Sequence, residues 1–146
     1  MPGRSGGLTQ SATVTGLEEN QRQENQRLFA LRGATSVDGN TEQAILEGTR
    51  ELLESIMQRN DLVPEQMVSC VFSATTDLNA QFPAVAARDL GLSQVPLLCT
   101  QEIDVPGALP RVIRVLLHYY APRGHAPQHV YLRDARALRA DLEAAQ

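Results

Sequence analysis

The chain has 146 residues, 42% hydrophobic and 21% charged, the makeup of one globular domain, alone or with a tail. Its formal net charge of -4 leaves no basic surplus to neutralise phosphates, which argues against a general nucleic-acid binder. The longest apolar run is far short of the roughly 20 residues of a membrane span, so no membrane partner is expected either. Aromatics make up 4% and Trp is absent, so the core must be built from Val, Leu, Ile and Ala, a palette that suits a sheet covered by small helices. The two cysteines, Cys70 and Cys99, lack metal-ligand spacing. The N-terminal stretch has no apolar signal core, and a cytoplasmic protein is expected.

Residues 1–26 are rich in Gly, Ser, Thr, Gln, Asn and Glu and cannot bury enough surface to offset their ordering entropy. They read as a flexible or disordered extension before a domain spanning 27–146. Leu28-Phe29-Ala30-Leu31 forms a short strand ending in Arg32-Gly33-Ala34-Thr35, where Gly33 lets the backbone turn close to a ligand. A solvent-facing Arg32 at a strand exit is the plainer alternative. Asp38-Gly39-Asn40 is a turn, and Asn40 with Gln43 fits a capping box. Apolar residues at Ile45, Leu46, Leu52, Leu53, Ile56 and Met57 predict an amphipathic helix of about five turns ending near Asn60.

Met67 to Ala74 is a second strand, whose Ser69, Ser73 and Ala74 suggest close packing. After the loop Thr75–Asn79, Phe82 to Leu90 reads as a two-turn helix with Pro83 in its first position and Gly91 as its stop. Phe82 and Arg88 could flank one surface, although Arg88 could equally pair with Asp89 or solvent. Gln94 to Cys99 is the third strand, followed by a turn at Val105-Pro106-Gly107. In the strand Arg111–Tyr119, Val112, Arg114, Leu116 and His118 share one face, and Ile113, Val115, Leu117 and Tyr119 the other. Both faces are largely apolar, so both are expected to be covered. Ala121–Pro127 is a loop, His129–Leu132 a last short strand, and Arg133–Leu142 a helical turn.

No dinucleotide or phosphate-loop motif follows a strand. The histidines His118, His125 and His129 lack ligand spacing, and Ser73 lacks the glycines of a nucleophile elbow. A buried, inert Cys99 is favoured over a nucleophile. What remains is a set of separated arginines, Arg32, Arg88, Arg114 and Arg139, accompanied by Glu102 and Tyr131. Arg114 inside an apolar strand is costly to bury without an anion opposite. Planar guanidinium donors match carboxylates, so a pocket gathering several would hold a small polyanion such as a dicarboxylate.

Seven segments, in order and nearly without gaps from Leu28 to Leu142, resemble the monofunctional chorismate mutases of the AroH class. They are Arg32-Gly33-Ala34-Thr35, Ser73-Ala74-Thr75-Thr76-Asp77-Leu78, Phe82-Pro83-Ala84, Val95-Pro96, Cys99-Thr100-Gln101-Glu102-Ile103-Asp104-Val105, Ile113-Arg114-Val115 and His129-Val130-Tyr131-Leu132. Leu138-Arg139-Ala140-Asp141-Leu142 extends the match. The resemblance implies an α+β fold, a mixed β-sheet with helices packed on one side, three copies of which form a trimeric pseudo-α/β barrel. It implies the Claisen rearrangement of chorismate to prephenate in phenylalanine and tyrosine biosynthesis, with no cofactor, metal or covalent intermediate.

By the same resemblance Arg114 stabilises the developing negative charge on the ether oxygen and Arg32 binds a carboxylate. Glu102 and Cys99 contact the ring hydroxyl, and Tyr131 bonds a carboxylate. Phe82, Ala84 and Arg88 come from a neighbouring subunit, while Leu138 and Arg139 cover the site. The chain departs from the family at Val85, where Lys is common, and at Pro106 and Pro110, in a turn that is commonly Gly and Lys rich. Two other readings stand beside the mutase: a trimeric binding or sensor protein with the same pocket, and an imine deaminase.

Overall fold

The computed structural model describes residues 16–21 and 24–139. Its strands are β1 (Gln26–Ser36), β2 (Met67–Ala74), β3 (Leu97–Gln101), β4 (Val112–Pro122) and β5 (Val130–Tyr131). They form one sheet in the order β3-β2-β4-β1-β5. The pairs β1–β4 and β2–β4 are antiparallel, and β1–β5 and β2–β3 are parallel. With helices α1 (Glu42–Asn60) and α2 (Pro83–Asp89), this is a mixed α+β fold. Of the expected extension, residues 1–15 and 22–23 lie outside the described residues, and 16–21 are helical. Residues 140–142, the end of the expected C-terminal turn, also lie outside them.

Both helices lie on one face of the sheet. Ile45, Leu52, Leu53 and Ile56 of α1 and Ala84 and Ala87 of α2 join Leu31, Phe72, Ile113, Val115 and Leu117 in one buried cluster. The Leu, Ile, Val and Phe side chains among them each gain about 1.5–3 kcal/mol from full burial. Gly33 does not turn the chain, as expected from its sequence context, but sits inside β1. A Cβ there would come within 2.9 Å of Ile56 Cδ1 and 3.0 Å of Val115 Cγ1, so its bare backbone is what lets α1 approach the sheet.

Thr41 rather than Asn40 caps α1, its hydroxyl accepting from the Ala44 backbone N–H at 3.1 Å. Asn40 instead ties two loops together: its amide donates to Asn79 Oδ1 at 2.7 Å, and its Oδ1 accepts from the backbones of Asn79 and Ala80. The third strand begins at Leu97, because Leu92–Gln94 forms a turn of 3-10 helix after Gly91, whose φ of 97° is left-handed. At the far end of α1, the buried Asn60 amide donates to Ile56 and Gln128 carbonyls and accepts from Gln128 N–H at 2.7 Å. That clamp holds the approach to β5.

Among the described residues, the helices cover one face of β4 and leave most of the other open. Ile113, Val115, Leu117 and Tyr119 are buried beneath the helices, whereas Arg114, Leu116 and Tyr120 on the opposite face are exposed. The single helical layer accounts for the difference from the two-sided burial expected of so apolar a strand. At one end of the open face, Ala34, Val112, Tyr131 and Ala135 form a second small cluster, with Leu109 and Leu138 packed on it.

Candidate active site

The open face carries a cleft of about 570 Å³ whose walls include Arg32, Ser73, Thr100, Arg114, Tyr131 and Leu138. Strand alternation explains why these residues meet. Arg114 stands on the uncovered face of β4, opposite Ala34 of β1 and Ser73 of β2, and both neighbours are small enough to leave a long side chain room. Tyr131 pairs with Ala34 from the other side and is 9% exposed.

Glu102 follows β3 immediately, and its backbone N–H donates to Ala74 O at 2.9 Å, which extends the β2–β3 ladder by one step. Its Oε1 accepts from Arg114 Nε at 2.8 Å and from the Ser73 hydroxyl at 2.5 Å. The Arg114 guanidinium is therefore held through its side nitrogen, and the terminal nitrogens are not consumed by that contact. The Arg32 backbone N–H, just outside the β1–β5 pairing, donates to His129 Nδ1 at 3.0 Å. That bond requires Nδ1 to be unprotonated. Burial, with the nearby Arg32 and then Arg139 charges, pushes the imidazole below its usual pKa.

Beyond the cleft the expected residues separate. Phe82 is exposed and lines a second hollow of about 430 Å³ together with Cys99, Thr100 and Gln101. Arg88 is exposed on α2, while Ala84 is buried in the core of its own chain. Cys99 lies opposite Phe72 on the helix side of the sheet and packs against the core, so its thiol points away from the Arg114 cleft. Arg139 is exposed at the end of the described chain, near His129. Ser73, Thr100 and the acceptor role of His129 escaped the sequence reading. Alternation places Ser73 on the face opposite Phe72, but only the β2–β4 register sets it against Arg114.

Among the described residues, no cluster of three or more His, Cys, Asp or Glu could hold a metal ion, and no helix is long and apolar enough to cross a membrane. Two cations, a tyrosine and two hydroxyls around an open cleft are the lining that suits a small, multiply anionic molecule.

Comparison with known proteins narrows this class. Residues 28–142 match the family described as chorismate mutase type I. The chain is 46% identical over 119 residues to chorismate mutase AroH of Thermus thermophilus, covering 80% of this chain and 97% of the relative. It is 45% identical over 117 residues to chorismate mutase AroH of Bacillus subtilis (strain 168), covering 77% and 90% respectively. A solved chorismate mutase from Clostridium thermocellum superposes with a TM-score of 0.71 at 40% identity, over 75% of this chain and 98% of that one. The chain belongs to the type I chorismate mutase family, and its activity is that of a chorismate mutase, an isomerase of aromatic amino acid biosynthesis.

Proposed function

We propose that the chain converts chorismate to prephenate in the Arg114 cleft, by preorganising the substrate and stabilising the charge that separates as the ether bond breaks. The observation that carries this reading is the Arg114 guanidinium, fixed at Nε by Glu102 on the wall of a cleft shared with Arg32 and Tyr131. A Claisen shift is intramolecular, so no nucleophile, proton shuttle or cofactor is required. The protein must hold the flexible dicarboxylate in a compact chair and present fixed donors to the oxygen that gains charge.

Arg114 supplies those donors from a guanidinium already oriented before substrate arrives. Arg32 binds a carboxylate and aims the enolpyruvyl side chain, and Tyr131 donates to a carboxylate. Glu102 accepts from the ring hydroxyl, near the part of the ring that becomes electron-poor. With its thiol against the core, Cys99 contributes through its backbone. Leu138 and Arg139 close over the bound molecule.

The site is completed in a homotrimer in which three sheets form a pseudo-α/β barrel. Phe82, Ala84 and Arg88 of one subunit then face the cleft of the next, Ala84 through its backbone because its side chain is buried. The exposed apolar residues Leu28, Val68, Leu98, Leu116 and Phe82 support this assembly, since a lone chain would leave them in water. The family match begins at residue 28, which supports a catalytic domain of 27–146 preceded by an extension. The reading places the enzyme in the cytoplasm.

The test is to incubate the purified full chain with chorismate, follow the loss of its absorbance, and identify the product, with the mass in solution measured by light scattering. Prephenate from a particle of three chain masses is expected. Binding without turnover would favour a sensor, and hydrolysis of an imine acid a deaminase. Full turnover by a monomer would sink the shared site.

A further inference from the structure

We infer that Ser73 is a positioning residue of this site, which holds Glu102 on the side nitrogen of Arg114 and so keeps the terminal nitrogens of that guanidinium available to the substrate. The inference rests on the role of Arg114 proposed above.

Three observations converge on Ser73. It lies directly across the sheet from Arg114 on one side and from Thr100 on the other. It is one of the residues that line the cleft. It donates at 2.5 Å to Glu102 Oε1, the same oxygen that Arg114 Nε reaches at 2.8 Å. The result is a chain of two hydrogen bonds that meet on one carboxylate oxygen.

The alternative geometry explains why such a tether matters. Carboxylates and guanidinium groups prefer a fork-to-fork pair with two parallel N–H···O bonds. Glu102 is held at its backbone by the bond to Ala74, and beyond it residues 102–105 have no regular structure. Without a second anchor its three side-chain torsions would let the carboxylate slide onto two guanidinium nitrogens at once. Arg offers five N–H donors. The observed contact draws on Nε, whereas a bidentate pair would also occupy a terminal nitrogen that the anionic substrate needs. Substrate would then compete with the protein's own carboxylate.

Stability does not explain the arrangement. The Arg114 and Glu102 side chains are 44% and 24% exposed, a setting in which ion pairs add little to folding. The contact fixes geometry instead.

The experiment compares Ser73→Ala, Ser73→Thr, Glu102→Gln and Ser73→Ala/Glu102→Gln in the full chain. Activity is followed as kcat and KM, and the Arg114 Nε–H as its 1H–15N resonance. Ser73→Ala should lower kcat/KM about ten- to hundredfold, the range for a hydrogen bond to a charged group, while the melting temperature and subunit number hold. The Nε–H resonance should shift in that variant without substrate present. Ser73→Thr, which keeps the hydroxyl, should leave the resonance in place. In the Glu102→Gln background the further loss on removing Ser73 should fall to about twofold or less, because the two act through one contact. An unmoved resonance in Ser73→Ala, or losses that multiply in the double variant, would overturn the inference while leaving the reading of Arg114 intact. Undiminished turnover in Arg114→Ala would refute that reading, and the role of Ser73 with it.

Discussion

Arg114→Lys separates charge from geometry. The replacement keeps one positive charge on a stem that can still reach Glu102, but it offers a single nitrogen where Arg offers three. In the parent, Nε is engaged by Glu102 Oε1 at 2.8 Å, and the proposed reading gives the terminal nitrogens to the substrate oxygen. A lysine must divide one ammonium between the two. Removing one preorganised donor from a developing oxyanion typically costs about 10²–10³ in kcat, or roughly 2.7–4 kcal/mol of barrier. We expect kcat to fall by that factor, and Arg114→Ala to fall further. The pair is 44% and 24% exposed and keeps its charges in the Lys variant, so folding should change by no more than about 1 kcal/mol. For a chain of this size that is a shift of only a few degrees in melting temperature. Initial rates of chorismate loss, a thermal melt and light scattering check all three quantities. A kcat within about threefold of the parent would refute the argument, because charge alone would then suffice. A collapse of the melting temperature or of the assembly would make Arg114 a structural residue.

Gly33→Ala puts a methyl within 2.9–3.2 Å of Ile56, Val115 and Leu52, and overpacking of this kind should cost about 1–3 kcal/mol, read as a lowered denaturant midpoint. Asn60→Ala removes both part-buried hydrogen bonds to the Gln128 backbone and should cost about 1–3 kcal/mol in the same assay; an unchanged midpoint would show that water replaces the amide. The pH dependence follows from two buried acids. Burial, and secondarily the neighbouring Cys99, pushes the Cys70 thiol from 9.0 up to about 12, and burial raises Tyr119 from 10.0 to about 12. Both hold their protons more tightly folded than unfolded. Their contribution is complete below about pH 9 and is lost as pH rises toward 12, at up to about 1.4 kcal/mol per unit for each group while it titrates in the unfolded chain alone. Denaturant midpoints measured between pH 8 and 11 should fall accordingly, and Cys70→Ala should flatten the decline between 9 and 10. A flat profile in the parent would contradict the buried thiol.

Where local pattern decides structure, the sequence reading and the structure agree. The apolar spacing from Ile45 to Met57 locates α1, and the apolar run with small residues from Met67 to Ala74 matches β2 end to end. Pro83 and Gly91 bracket α2 because one fits a first helical turn and the other a left-handed exit. Departures arise where a distant partner decides. Thr41 wins the cap because Asn40 is recruited by Asn79 across 39 residues. The exposed side of β4 reads as core because its composition is apolar, and composition does not say whether a covering layer comes from the same chain. The site was legible as a set of residue types, Arg, Glu and Tyr. The contact of Ser73, Glu102 and Arg114 was not, since it depends on two strand registers and one loop.

The last strand has a consequence for synthesis. β5 is two residues long, yet it brings Tyr131 against Ala34 and leads into Leu138, so the cleft draws on both ends of the domain. A nascent chain that has emerged only as far as Pro122 already has the partners for the β3-β2-β4-β1 part of the sheet, but it lacks one wall of its binding site. On the proposed role of the cleft, chorismate would be gripped only after nearly all of the polypeptide has left the ribosome. A truncation before Val130 should give a folded, inert product rather than a weak enzyme.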